Sequence, residues 1–194
     1  FMVHPFYNRL VHLYHGPELK GAEAARIFAL DPTPRAHTPV PAGGKPEYGS
    51  LSILPQEFSS FGTGDFRIAS AQVRTADGFN AVDAEFVSHR IYRGKPALDG
   101  LPASYAAEDE AETLEITLLD RSTDIGFVLF YTVFEKLPVI ARSRRVVNRS
   151  AAPATVERIM SMTQDFPLGG LDLVSFHGSW VRERHLERER LGHG

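Results

Sequence analysis

Gly126-Phe127-Val128-Leu129-Phe130-Tyr131-Thr132-Val133-Phe134 is apolar at both odd and even positions. Successive residues of a strand point to opposite faces, so a strand apolar on both faces belongs in the middle of a covered sheet. The flanking segments read as its neighbours. Upstream, Leu114, Ile116 and Leu118 alternate with Glu115 and Thr117, and Asp120 to Asp124 turns the chain. Downstream, Val139 to Val147 returns with arginines at 142, 144 and 145, and Asn148 to Pro153 is another turn. Val156, Arg158, Met160 and Met162 then alternate with Glu157, Ile159, Ser161 and Thr163. Nearer the start, Ile68 to Thr75 fits a pleat, Asp77-Gly78 signals a hairpin, and Val82, Ala84, Phe86 and Ser88 show period-2 alternation. Short strands at fairly even spacing, with almost no helix, predict an all-β, antiparallel β-sandwich.

The rest of the chain fits this frame. Leu10 to Tyr14 reads as a strand ending at His15-Gly16-Pro17, and Gly21 to Leu30, alanine-rich and stopped by Asp31-Pro32, is the one short helix. Pro32 to Gly49 is a long proline- and glycine-rich connection. Leu171 to Trp180 makes a last strand pair or extension, and Arg182 to Arg190 interleaves both charges as a solvated face or a subunit contact. With 194 residues the chain is read as one domain, able to bury about 70% of its unfolded surface. A net charge of -3, with both signs interspersed, offers no nucleic-acid footprint. No apolar run reaches the length of a membrane span, and there are no cysteines for disulfides or thiolate metal sites. The expected location is cytoplasmic, with no cofactor and no metal.

One stretch departs from the core pattern. Leu54-Pro55-Gln56-Glu57-Phe58-Ser59-Ser60-Phe61-Gly62-Thr63-Gly64-Asp65-Phe66-Arg67 mixes three ionisable groups with three phenylalanines, and two glycines bracket Thr63. That composition describes a shaped loop that presents charge. Glu57 and Asp65 are the tempting pair for chemistry that needs two carboxyl groups, and their separation in sequence fixes no distance between them. A second reading makes Asp65 and Arg67 a pair that pins the loop to the sandwich. Trp180, the single tryptophan, is a candidate for stacking on a sugar or for an interface. His12 and His15 lack the further ligands of a recognisable metal motif.

Pro55-Gln56-Glu57-Phe58 followed by Gly64-Asp65-Phe66-Arg67 resembles the amino-terminal domain of glycoside hydrolase family 36, the bacterial α-galactosidases. Ser88 to Tyr92 with Gly94-Lys95-Pro96, Gly100-Leu101-Pro102, Glu112 to Leu114, Arg142-Ser143 and Gly178 to His185 match in the same order. The resemblance implies a galactose-mutarotase-like supersandwich, incomplete at both ends within residues 1–194. It implies that the catalytic aspartates lie in a (β/α)8 barrel absent from this chain, so no catalytic residue is expected here. The implied reaction of the parent is removal of terminal α-galactose from oligosaccharides such as raffinose or melibiose, with retention and a covalent intermediate. The implied partners are α-galactoside oligosaccharides, the parent's own barrel and neighbouring subunits of a homo-oligomer. Substrate contact then falls to Asp65, with Phe66 and Arg67 beside it. The alternative is a stand-alone sugar-binding or assembly module.

Overall fold

The computed structural model describes residues 2–6, 8–28, 51, 54–100, 103–164 and 170–192. The predicted connection from Pro32 to Gly49 and the Asp31-Pro32 helix stop lie outside the described residues. The chain divides into two compact units, residues 1–164 and residues 165–194.

In the first unit, β4 (Glu85–Arg93), β5 (Ala111–Asp120), β6 (Ile125–Phe134) and β7 (Ile140–Asn148) form an antiparallel sheet in that order. The strand that is apolar on both faces pairs with a neighbour on each side, as its pattern requires. Its Phe127, Leu129 and Tyr131 face the main core together with Ile116 and Leu118 of β5. On the other face Phe130 is buried with the Arg145 guanidinium 5.3 Å from its ring centre, and the Thr132 and Thr113 hydroxyls are 2.8 Å apart.

Two strand pairs and a loop close the core. β1 (Met2–Phe6) pairs with β2 (Arg9–Tyr14), and β3 (Ala71–Thr75) pairs with β8 (Ala154–Ile159), both antiparallel. Leu10, Phe58, Ala71, Val73, Val82 and Ala84 from these segments pack against the sheet, with Phe58 and Phe127 ring centres 4.9 Å apart. Full burial of a side chain such as Phe127, Leu118 or Ile125 stabilises the fold by about 1.5–3 kcal/mol. The single described helix, α1 (Ala22–Phe28), falls within the predicted stretch.

Two local expectations are corrected. Asp77-Gly78 does turn the chain, with Gly78 at φ 87° and its N–H donating to the Thr75 carbonyl at 3.0 Å. The following residues return to β3 only at its end, where Thr75 N–H donates to the Phe79 carbonyl at 2.8 Å. Val82 instead donates to the Phe61 carbonyl at 2.9 Å, so this segment braces the loop, and β3 takes β8 as its partner. The alternation of Val82 to Ser88 begins as irregular core and becomes strand only from Glu85, with a bulge between Phe86 and Ser88.

In the second unit, β9 (Asp172–Ser179) and β10 (Arg182–Arg190) form an antiparallel hairpin. The charged stretch from Arg182 to Arg190 is therefore a strand. Arg188 and Arg190 both pair with Asp172, at 2.7 and 3.1 Å, and His177 pairs with Glu187 at 2.5 Å. Cross-strand ion pairs of this kind support a strand whose residues are not strong β-formers.

Candidate functional site: the braced loop from Leu54 to Arg67

The loop is held at its root by backbone pairing. His12 N–H donates to the Pro55 carbonyl at 2.7 Å and Glu57 N–H to the Leu10 carbonyl at 2.9 Å, so the loop begins as an extra extended segment alongside β2. Its far side is fixed to β3, where Phe61 N–H reaches the Ala71 carbonyl and Ala71 N–H the Ser59 carbonyl, each at 3.2 Å. Between these anchors Gly62 and Gly64 both lie at φ 89°, backbone that side-chain-bearing residues rarely adopt. A Cβ on Gly62 would also come within 2.5 Å of the Ala81 Cβ.

Neighbouring Gln56 and Glu57 project to opposite sides of the extended root. Glu57 points into the core and is 0% exposed. Its Oε1 accepts from the Tyr131 hydroxyl at 2.8 Å and from Arg142 at 3.2 Å, and its backbone carbonyl accepts from Arg144 at 3.2 Å. The His12 Nδ1 lies 3.6 Å from Oε2. Burial pushes the Glu57 carboxyl above its ordinary range, outweighing the Tyr131 hydrogen bond and the nearby Arg142 and Arg144 charges. The same burial lowers His12 and raises Tyr131 well above the usual tyrosine range.

Gln56 points the other way and builds a clasp. Its Nε2 donates to Asp65 Oδ2 at 2.8 Å and to the Leu51 carbonyl at 3.3 Å. Arg67 closes on the same carboxylate: its backbone N–H and Nε donate to Oδ1 at 3.1 and 2.9 Å, and its Nη2 to Oδ2 at 2.8 Å. Nη2 also donates to the Leu51 and Leu54 carbonyls, at 3.1 and 2.6 Å. The Asp65 side chain is 1% exposed. Burial opposes its ionisation, but the Arg67 hydrogen bonds and charge, with Gln56, outweigh that and bring the carboxyl below its ordinary value. Phe66, between the two clasped residues, is expelled into solvent at 89% exposure.

Each candidate residue thus has a defined place. Asp65 and Arg67 come together as an ion pair, Phe66 is presented beside them, and Trp180 sits at the β9–β10 turn in the second unit, 90% exposed. Glu57 and Asp65 are not brought together: each carboxylate is enclosed and committed to separate partners. A sugar bond cannot reach between them. Gln56, Tyr131, Arg142 and Arg144 were not singled out from sequence for this loop. Arg142 and Arg144 could have been, because they share the parity that faces the core in β7. The His12 and His15 rings meet edge to face, 6.5 Å apart, because β2 stops at Tyr14 and the chain bends. No group of three or more potential metal ligands occurs among the described residues, and no described helix is long and apolar enough to cross a membrane.

These features define a strand-rich, antiparallel chain whose distinctive part is a clasped, aromatic-bearing loop. More particularly, the chain belongs to the glycosyl hydrolase family 36 N-terminal domain family, whose model matches residues 8–194. It is 41% identical over 184 residues to the α-galactosidase AgaA of Geobacillus stearothermophilus, covering 94% of this chain and 25% of that protein. It is 38% identical over 186 residues to the bifunctional α-galactosidase/sucrose kinase AgaSK of Mediterraneibacter gnavus, covering 95% of this chain and 20% of that protein. The crystal structure of AgaA superposes with a TM-score of 0.89 at 39% identity, covering 99% of this chain and 27% of that one. The galactosidase domain of AgaSK gives 0.90 at 36% identity, with the same coverage. The chain therefore spans about a quarter of the length of these relatives, and the expected antiparallel all-β fold and family are borne out.

Proposed function

We propose that this chain is the amino-terminal domain of a cytoplasmic, retaining α-galactosidase that removes terminal α-galactose from oligosaccharides. In this reading the chain braces the catalytic portion and helps build a homo-oligomer, while bond cleavage belongs to a barrel outside these 194 residues. The named activity of the relatives, and the crystallisation of AgaA with raffinose and with stachyose, support this substrate class.

The clasp of Gln56, Asp65 and Arg67 is the single observation that carries a substrate role for the loop. A loop that served only to connect strands would have no need to order an aromatic ring in water. Here a buried carboxylate fixes both neighbours of Phe66, so the ring is presented at little further entropic cost. Phe66 stacks on a sugar at the mouth of a neighbouring subunit's active site, the exposed part of Arg67 donates to hydroxyls, and Asp65 sets their positions. In the full-length parent, Phe66→Ala and Asp65→Ala should raise KM for raffinose several-fold and leave kcat within about twofold, the pattern of lost ground-state binding. Unchanged KM in both variants would remove the loop from the substrate site.

A further inference from the structure

The loop root pairs with β2 through one bridge, Val11 opposite Gln56, and the backbone bonds on either side of it. Backbone groups are the same at every residue, so these bonds by themselves do not say which side chain faces which way. Moving an extended segment by one residue turns each side chain to the opposite face. Here such a shift would carry Glu57 toward Asp65, whose side chain is 1% exposed, and set carboxylate against carboxylate in an enclosed place. Gln56 would be left facing Tyr131 and Arg142, and the clasp would lose its amide donor.

The Glu57 side chain selects the working arrangement. Tyr131 of β6 and Arg142 of β7 stand opposite each other in the sheet, and both donate to Oε1, at 2.8 and 3.2 Å. Two residues along β7, Arg144 donates to the Glu57 carbonyl at 3.2 Å while its guanidinium lies 5.0 Å from the Phe58 ring centre. Residues 56, 57 and 58 are thus tied in turn to the clasp, to the sheet and to the core. Burial raises the Glu57 carboxyl above its ordinary range, so the fold is not stabilised by this charge as such. A buried charge can still impose a unique arrangement, because every wrong one leaves it without its donors.

We propose that Glu57, held by Tyr131 and Arg142, is a positioning residue for the substrate-contacting loop: it fixes the register of the root, so that Gln56 meets Asp65 and the clasp sets Phe66 in place. This rests on the substrate role proposed above for Phe66 and adds the buried groups that govern it.

Steady-state kinetics of the full-length parent on raffinose, with thermal melts of the same proteins, test this role. Glu57→Gln keeps the size and the acceptor but removes the charge that distinguishes the two registers. It should raise KM at least about threefold, with kcat within about twofold and no fall in Tm, a combination that a merely structural role would not produce. Tyr131→Phe, which removes one donor and little volume, should move KM in the same direction. In a Phe66→Ala background the effect of either substitution on KM should shrink by at least about half, because the ring through which most of it acts is gone. If Phe66→Ala raises KM and Glu57→Gln does not, the positioning role is overturned and the substrate reading stands. A rise in Glu57→Gln that is undiminished without the Phe66 ring would overturn it as well. An unchanged KM in Phe66→Ala would remove the substrate reading and the positioning role together.

Discussion

Replacing Asp65 with alanine removes the acceptor on which the loop clasp converges. Four hydrogen bonds are lost, three from Arg67 and one from the Gln56 amide. A hydrogen bond to a charged group is worth about 1.5–3 kcal/mol, but these do not add. Gln56 and the Arg67 Nη2 keep the Leu51 and Leu54 carbonyls, and the Arg67 side chain is 40% exposed, so water replaces part of what is lost. A net cost of about 2–3 kcal/mol is expected, and at about 2–4 °C per kcal/mol for a chain of this size the Tm should fall by about 4–12 °C at pH 7. Asp65→Asn, which keeps one acceptor, should lose about half as much. The folded-state pKa of Asp65 is lowered, so its stabilisation is present above the unfolded value of about 3.9 and disappears as pH falls through the folded one. Thermal melts of the wild type and Asp65→Ala should therefore differ at pH 5 to 7 and converge below about pH 4. A variant melting within 1 °C of the wild type at pH 7 would refute the clasp.

Other outcomes follow from the same geometry. Glu57 titrates above its ordinary value, so its favourable contribution is present below the unfolded pKa of about 4.3 and is lost as pH rises through the folded one. Glu57→Gln, which mimics the protonated acid, should accordingly melt no lower than the wild type at pH 7. Glu57→Ala instead strips the acceptor from Tyr131 and Arg142 and should cost about 3–5 kcal/mol by denaturant titration. Gly62→Ala combines a φ of 89° with a clash against Ala81 and should destabilise by about 1–3 kcal/mol, measured the same way. Calorimetric titration of the isolated chain with galactose should give no binding heat; a measurable affinity would favour a self-contained sugar-binding module.

The core of the fold was legible because its signal is periodic. Residues 126 to 134 announce a covered central strand, and β5 and β7 follow from alternation and from turns placed between them. Local turn chemistry was less informative about pairing. Asp77-Gly78 makes its turn, yet the following segment is taken up by the loop, a choice set by long-range contacts such as that between Val82 and Phe61. Charge disguised β10: Arg182 to Arg190 contains almost no apolar residue to show period 2, and its pairing depends on ion pairs across to β9.

The loop was legible as a loop and as a candidate site, but its wiring was not. Gln56 and Glu57 look alike in sequence, and only the direction of an extended backbone sends one toward Asp65 and the other toward Tyr131. Both roles for Asp65 were open from composition, because a carboxylate suits a sugar hydroxyl and an arginine equally well.

The measurement that bears most directly on the whole account is hydrolysis of an aryl α-galactoside by the purified 194-residue chain. With Glu57 and Asp65 each enclosed and bound to different partners, no turnover above the uncatalysed rate is predicted. Robust turnover by this chain alone would contradict it.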